Sequence, residues 1–305
     1  MKKTDKTIKL SVVISAYNEE KRVKDVLESV TFADEIIFVD NESTDSTKKI
    51  AQEFTTKIFT RPNFQILNKN KNFGFSKASN EWILNLDADE IVTPELKDEI
   101  ISVISKPNDV EGYLIPRKNM ILGKWMEHTG WYPDYQPRLF KKGKGKFAEK
   151  HVHEKIVFTG KTENLKNPMI HNSYNSLDQF LQKMMTNYTI SEAENLIAKG
   201  YEPKLIDSLL FPTNEFLKRF FFEEGYKDGA HGLVLSLLMA CYHLVVFARV
   251  WEMKNYPDNE NALYVFESGA SKMAKDTDYW LNYENEKAMM PVKRVLSKIK
   301  RKLHI

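Results

Sequence analysis

The stretch NEWILNLDADE, residues 80–90, joins an apolar run to three acids within four positions. Residues 82–86 have the composition of a buried β-strand, and Asp87, Asp89 and Glu90 follow where that strand would end. Carboxylates this close together repel one another unless a positive charge lies among them. The sequence therefore requires a cationic partner at this point, supplied by another part of the chain, by a metal ion or by a ligand.

Strands and helices alternate on both sides of this stretch. Apolar runs predict strands at residues 10–15, 35–40, 57–59 and 83–87, and helical spacing predicts helices at residues 19–29, 47–54, 75–81 and 94–105. Such alternation is typical of an α/β fold with a mostly parallel, Rossmann-like sheet and helices on both faces. We expect a first domain over residues 1–175 and a mainly helical region over residues 176–305.

Composition limits the class of protein. The chain has 305 residues, 42% apolar and 29% charged, as is usual for a soluble globular protein. A net charge of +3 does not indicate a nucleic-acid partner. The single cysteine, Cys241, excludes an internal disulfide framework. The apolar run at residues 10–16 is short for a secretory signal, so we expect a cytoplasmic protein.

Polar residues gather at the predicted strand ends. SAYNEE (15–20) ends the first strand, VDNESTDST (39–47) the second and LDADE (86–90) the fourth. The carboxyl ends of parallel strands meet on one edge of a sheet, where such folds bind ligands. The sequence therefore predicts a ligand site at this edge.

Longer segments around these ends resemble a known family. SVVISAYNEE (11–20), IIFVDNESTDSTKKIA (36–51) and NFGFSKASNEWILNLDADE (72–90) are similar to the nucleotide-sugar half of family 2 glycosyltransferases, which have a GT-A fold. Residues 112–147, with HVHEKI (151–156) and MIHNSY (169–174), resemble bacterial lipopolysaccharide-core β-glucosyltransferases. The resemblance implies an inverting transferase that takes a nucleotide-activated sugar and releases a nucleoside diphosphate.

The resemblance also implies a divalent cation, Mn²⁺ or Mg²⁺, bound to the diphosphate of the donor. Asp89 would bind the metal, Asp87 would approach the ribose or a metal-bound water, and His171 would complete the metal shell. Carboxylate oxygens are usual ligands of such cations. The alternatives are an acidic turn that caps a helix near Pro94 and a buried, hydrogen-bonded structural histidine.

Other residues are assigned to a UDP-sugar donor by the same resemblance. Residues 16–19 would frame the base and ribose, Asp40 would bond to the uracil or ribose, and two lysines are either phosphate contacts or solvated surface charges. The residues concerned are Ala16, Tyr17, Asn18, Glu19, Asp40, Lys71, Lys77, Asp87 and Ala88.

Transfer also needs a base that removes a proton from the acceptor hydroxyl. Glu154 in HVHE matches the base position of the family better than Asp134 does, and Asp134 would be the base or bind acceptor hydroxyls. The alternative for Glu154 is a surface acid paired with Lys150 or Lys155. Trp125 and Trp131 would stack on the acceptor sugar or line a core.

The last third of the chain is predicted to be helical. Residues 232–251 are almost wholly apolar, which suits a buried helix, a helix in a membrane interface or a spanning helix. Residues 291–305 carry six Lys or Arg and no acid, typical of a basic amphipathic helix on an anionic membrane or of a disordered basic tail.

Together these features predict a hexosyltransferase, with glucose favoured, acting on a lipopolysaccharide-core or other cell-envelope glycan at the cytoplasmic face of the inner membrane. A peptide or protein acceptor is an alternative. A nucleotidyltransferase would carry a glycine-rich loop where this chain has SAYNEE. A non-catalytic membrane adaptor with a degenerate transferase fold is disfavoured because the acids are present.

Overall fold

The computed structural model describes residues 9–64, 67–106, 109–149, 154–258 and 260–288. The strands are Leu10–Ala16 (β1), Glu35–Asp40 (β2), Ile58–Thr60 (β3), Trp82–Asp87 (β4), Glu90–Ile91 (β5), Gly112–Ile121 (β6), Lys124–Trp125 (β7), Asp134–Lys141 (β8), Gly145–Lys146 (β9), Val157–Phe158 (β10), Thr162–Asn164 (β11) and Met169–Tyr174 (β12). The α-helices are Val23–Ser29 (α1), Thr47–Ala51 (α2), Asn68–Lys77 (α3), Pro94–Ile104 (α4), Leu177–Lys183 (α5), Thr189–Ala198 (α6), Asp207–Leu217 (α7), Ala230–Met253 (α8) and Ala262–Ala288 (α9).

Among the described residues, ten strands form one sheet. Its order is β3-β2-β1-β4-β8-β6-β12-β5, with β7 and β11 paired to β6. The first four of these strands are parallel, as the alternation of strands and helices predicts. β8 then joins antiparallel to β4, with Ile83 opposite Phe140. This reversal brings the first half of β8 beside the acidic end of β4.

Helices cover both faces of the parallel strands. All seven residues of β1 are buried, because its alternate side chains enter two different cores. Val12 and Ile14 pack with residues of α1 and α4, such as Val26 and Ile100. Val13 packs into the second core on the opposite face. The predicted α/β architecture with flanking helices is therefore confirmed.

Helix α3 differs from the prediction at residues 75–81. It begins at Asn68 and ends at Lys77, and Gly74 lies inside it. A Cβ atom at Gly74 would lie 2.4 Å from Cγ1 of Val13 and 3.2 Å from Cγ2 of Val39. The glycine thus lets the helix approach the sheet closely.

Helix α1 also starts later than predicted. The carbonyl of Glu19 accepts the amides of Arg22 and Val23, and α1 begins at Val23 rather than at residue 19. Residues 17–22 are therefore a loop at the edge of the sheet where β1 ends.

The chain divides into two compact units. One comprises the chain up to Trp125 together with Trp131–Ser173, and the other comprises Met126–Gly130 and the chain from Tyr174 onward. In the second unit, α5 leads through a π-helical segment, Met184–Tyr188, directly into α6. The basic segment 291–305 lies outside the described residues.

Helix α8 contains the apolar run at 232–251. Its length and composition would allow it to cross a membrane, and 33% of its most apolar stretch is buried within the protein. One face, including Leu235 and Val246, packs inward, whereas Leu233, Leu237 and Leu244 are exposed by 40%, 52% and 43%. The helix is thus only partly covered by the protein.

Candidate active site

Two cations of the chain bind Asp87 at the end of β4. Nη2 of Arg138, on β8, donates to Oδ2 of Asp87 at 2.5 Å, and Nζ of Lys71, on α3, donates to Oδ1. Burial alone would raise the pKa of this carboxyl group, but the charges of Arg138 and Lys71 hold its pKa well below the ordinary value. For Asp87, the positive partner that the sequence required comes from the protein itself.

Glu90 fixes the turn that carries the aspartates. It is fully buried, and its Oε1 accepts a 2.7 Å hydrogen bond from Arg138 and lies 3.6 Å from Nη1 of Arg117. Its other oxygen accepts the backbone N–H of Asp87 at 3.0 Å. A buried carboxylate is stable here because two guanidinium groups and a backbone amide surround it.

Asp89 faces His171 across the turn. Oδ2 of Asp89 lies 3.7 Å from Nε2 of His171 on β12 and 3.9 Å from Nη1 of Arg22. The other ring nitrogen, Nδ1, lies 2.6 Å from Oδ1 of Asn119. Because the amide nitrogen of Asn119 donates to the carbonyl of Trp131 at 2.7 Å, its oxygen accepts from His171. The proton is then on Nδ1, and the lone pair of Nε2 points to the Asp89 side.

This pair has the chemistry of a divalent metal site. Burial, together with the charge of Arg117, lowers the pKa of His171 to about 4, so the imidazole is neutral near neutral pH. A neutral imidazole held by an outer hydrogen bond and a nearby carboxylate is a usual ligand arrangement. No third His, Cys, Asp or Glu joins them among the described residues. A cation bound here would take its other ligands from a diphosphate and water.

The two candidate bases lie in different surroundings. Both oxygens of Asp134 are occupied: Arg117 donates to Oδ2 from Nε at 2.8 Å and also from Nη2, and Gln136 donates to Oδ1 at 2.6 Å. Burial opposes ionisation of Asp134, but Arg117 lowers its pKa. Glu154 is half-buried. His151 and His153 lie outside the described residues.

The loop after β1 is tied to the loop after β2. Asn18 donates its backbone N–H to Oγ of Ser43 at 3.1 Å, and its side-chain oxygen accepts from the backbone of Thr44 at 2.8 Å. The backbone N–H of Glu19 donates to Oγ1 of Thr47 at 2.7 Å. Ala16 is buried and Tyr17 is 42% exposed, so Tyr17 is available to a ligand at this edge.

The remaining predicted donor residues divide between the site edge and other surfaces. Asp40 is buried, and its Oδ1 accepts the backbone N–H of Ser43 at 3.2 Å. Ala88 is buried between the two aspartates. Lys71 belongs to the acidic cluster described above, whereas Nζ of Lys77 lies 5.1 Å from the ring centroid of Phe73.

The two tryptophans assigned to the acceptor have partners in the protein. Trp125 packs edge-on against Tyr132, with ring centroids 5.5 Å apart, and Nζ of Lys118 lies 4.4 Å from its ring centroid. Trp131 contributes its carbonyl to Asn119. Their contact with an acceptor stays a prediction.

The sequence alone assigned no site role to four residues of this cluster. One is Glu90, and the others are Arg117, Asn119 and Arg138. A usable signal existed for two of them: Arg117 and Asn119 are polar residues two apart within the apolar run of β6, so both point to one face. Arg138 reaches Asp87 across 51 residues through the antiparallel pairing of β8, which no local pattern reveals.

Comparisons with known proteins identify the family of the chain. The family model described as "Glycosyl transferase family 2" matches residues 11–165, and the chain belongs to that family. It is 29% identical to an uncharacterized glycosyltransferase of Rickettsia typhi, over 96% of this chain and 97% of that protein. It is 24% identical to the lipopolysaccharide core biosynthesis glycosyltransferase LpsC of Rhizobium meliloti, over 83% of this chain and 97% of LpsC.

Solved structures resemble the chain less closely. The structure of S. aureus TarS 1-349 aligns with 81% of this chain and 89% of that chain, at 17% identity and a TM-score of 0.38. The family assignment therefore depends on the sequence match, and the predicted GT-A fold class agrees with it and with the strand order described above.

Proposed function

We propose that this glycosyltransferase is an inverting, metal-dependent hexosyltransferase. It moves a hexose, with glucose favoured, from a UDP-sugar to a lipopolysaccharide-core or other cell-envelope glycan. The observation that carries the metal dependence is the Asp89–His171 pair, with Nε2 and Oδ2 3.7 Å apart and the imidazole neutral. The similarity to LpsC supports the acceptor class.

Each charged residue has a separate task in this proposal. Asp89 and His171 would hold Mn²⁺ or Mg²⁺, and the cation would supply positive charge against the departing diphosphate. Asp87, held by Arg138, would accept a hydrogen bond from the ribose or from a water bound to that cation. Lys71, already beside Asp87, supplies a further positive charge on the diphosphate side.

Glu154 is the proposed base, with Asp134 as a positioning residue. A base needs a free lone pair and a pKa not far below the working pH. Asp134 has neither property, since Arg117 and Gln136 occupy its oxygens and its pKa is lowered. Asp134 instead holds Arg117 beside Glu90.

We place the protein at the cytoplasmic face of the inner membrane. Two features support this location: the exposed apolar face of α8 and the six basic residues of segment 291–305. An apolar face with basic residues suits an anionic bilayer. The full chain should sediment with phosphatidylglycerol vesicles and far less with phosphatidylcholine vesicles. Equal sedimentation with both would contradict an electrostatic contribution.

The test of the transfer function is donor hydrolysis, which needs no knowledge of the acceptor. The chain is incubated with UDP-glucose, UDP-galactose and UDP-N-acetylglucosamine, with and without Mn²⁺, and released UDP is measured by mass spectrometry. We expect Mn²⁺-dependent release, fastest with UDP-glucose, and its loss in Asp89→Asn but not in Asp109→Asn, which changes an exposed acid. Metal-independent binding of UDP without turnover of any donor would overturn the proposal and favour an adaptor.

A further inference from the structure

A second concave site lies within the helical unit, on α7, α9 and the segment between α7 and α8. The cavity measures about 260 Å³, close to the lower end of small-molecule sites at roughly 300 Å³. Its walls are formed by Asn214, Leu217, Lys218, Phe222, Asp276, Tyr279 and Trp280. None of these residues belongs to the transfer site described above.

Aromatic rings form one part of the wall. The ring of Trp280 lies edge-to-face with Phe222, with centroids 6.2 Å apart at 76°, and with Tyr279, at 5.7 Å and 86°. Phe222 is 65% exposed and Tyr279 is 48% exposed. Large rings of a core are normally buried, so exposed rings set at right angles around a cavity offer surface to a ligand.

Polar side chains form the other part. Within the described part of the chain, the side chains of Asn214, Lys218 and Asp276 make no hydrogen bond or ion pair. Together they supply an amide, an ammonium donor and a carboxylate acceptor to one small cavity. A ligand with several hydroxyl groups would use all three.

The backbone at the cavity is also unusual. Residues Lys218–Phe222, which follow α7 directly, form a π-helical turn, and both of its end residues line the cavity. Such turns are rare and occur frequently at functional sites. On the opposite wall, Asp276, Tyr279 and Trp280 are spaced by three and four positions, on one face of α9.

We propose that this pocket binds one pyranose unit of a glycan, apart from the transfer site. The apolar C–H face of a pyranose would lie against the exposed ring of Tyr279, with Trp280 at its edge, and its hydroxyl groups would bond to Asn214, Lys218 and Asp276. The pocket thus holds a saccharide on the helical unit, and this binding does not depend on donor, metal or turnover.

The test uses fluorine NMR of the full chain labelled with 5-fluorotryptophan. The sequence has five tryptophans, and the signal that is absent in Trp280→Phe identifies Trp280. The probes are methyl β-D-glucopyranoside, methyl β-D-galactopyranoside, methyl α-D-mannopyranoside and a lipopolysaccharide core oligosaccharide. We expect at least one probe to shift the Trp280 signal saturably without UDP or Mn²⁺. Shifts of Trp125 or Trp131 alone would report binding elsewhere and overturn the proposal.

Variants separate the pocket from its surroundings. Tyr279→Ala and Asp276→Ala should each weaken the Kd by about tenfold, the free energy of one aromatic or charged hydrogen-bond contact. Tyr264→Ala and Glu267→Gln, at exposed positions on the same helix, should change it less than twofold. If Tyr279→Ala does not fold, Asn214→Ala takes its place in the binding comparison. Unchanged sugar binding in all three pocket variants would overturn the proposal. So would variants that lose vesicle binding but keep sugar binding, since that result would indicate a lipid site. These outcomes do not depend on the donor hydrolysis assay, so they can be interpreted even if that assay shows no turnover.

Discussion

Arg138 on β8 donates a 2.5 Å hydrogen bond to Asp87 on β4, and the same Nη2 atom donates to Glu90 at 2.7 Å. One buried guanidinium therefore joins two of the three acids that end β4. Asp89 does not belong to this network: its contacts with Arg22 and His171 are 3.9 and 3.7 Å long. The acids of the motif thus divide into two that share one buried guanidinium group and a third, Asp89, that lies beside a neutral histidine.

Replacing Arg138 should destabilise the fold. Arg138→Met leaves Asp87 and Glu90 without their shared cation, and loss of one partner of a buried ion pair costs about 3–5 kcal/mol. Urea unfolding followed by circular dichroism measures this loss. Arg138→Met with Glu90→Gln should recover part of the stability, because one buried charge is then removed with its partner. A single variant as stable as wild type would show that the pair contributes nothing.

Asn119 should control metal affinity without binding metal. Asn119→Ala frees the His171 ring and its tautomer, and loss of such an outer hydrogen bond weakens metal binding about 10–100-fold. Titration of Mn²⁺ by electron paramagnetic resonance, with UDP present, measures the Kd. Asn164→Ala, at an exposed position of β11, is the control. Equal Mn²⁺ affinity in both variants would contradict the role of His171 as a ligand.

The sequence predicts those features of the fold and the site that arise from residues close together along the chain. The apolar runs of β1, β2 and β4 and the polar residues at their ends predict both the parallel half of the sheet and the edge that holds the acids. The cations of the site are not local, since Arg138 and Arg117 come from strands paired antiparallel far along the chain. The sequence placed the start of α3 at residue 75 rather than at Asn68, and the close approach of Gly74 to Val13 is visible only with the sheet in place.

Replacement of Glu154 and replacement of Asp134 should affect different properties of the protein. Glu154→Gln should lower donor turnover about 10²–10⁴-fold, as loss of a general base does, with the Kd for UDP and the stability unchanged. Asp134→Asn should instead lower the midpoint of urea unfolding, since it leaves Arg117 poorly paired. Turnover, UDP calorimetry and urea unfolding of both variants separate these outcomes. Loss of UDP binding in Glu154→Gln would indicate a structural role.

Gly74→Ala should destabilise the chain although alanine favours helices. The added Cβ would meet Cγ1 of Val13 at 2.4 Å, and overpacking of this kind costs about 1–3 kcal/mol, against a helix gain of about 1 kcal/mol. Ser76→Ala, on the exposed side of α3, controls for the helix itself. In the Val13→Ala background Cγ1 of residue 13 is absent. There, the double variant Gly74→Ala with Val13→Ala should be more stable than Val13→Ala alone. If Gly74→Ala is more stable than wild type, the close packing of α3 on β1 is wrong.

Glu35 should make stability depend on acid pH. Although burial opposes its ionisation, Lys57, Ser11 and Ser79 lower the pKa of Glu35 from 4.5 to about 2. The folded state therefore binds this proton less readily than the unfolded state, so the stabilisation is present above about pH 4.5 and is lost as the pH falls towards 2. We expect Glu35→Gln to lower the free energy of unfolding at neutral pH by about 2 kcal/mol, less than the full shift implies because Lys57 is half exposed. The difference from wild type should shrink as the pH falls below 4.5, whereas Glu81→Gln, at an exposed position before β4, should show no such trend. A difference between Glu35→Gln and wild type that stays constant down to low pH would mean that packing, and not the charge of Glu35, stabilises this end of the sheet.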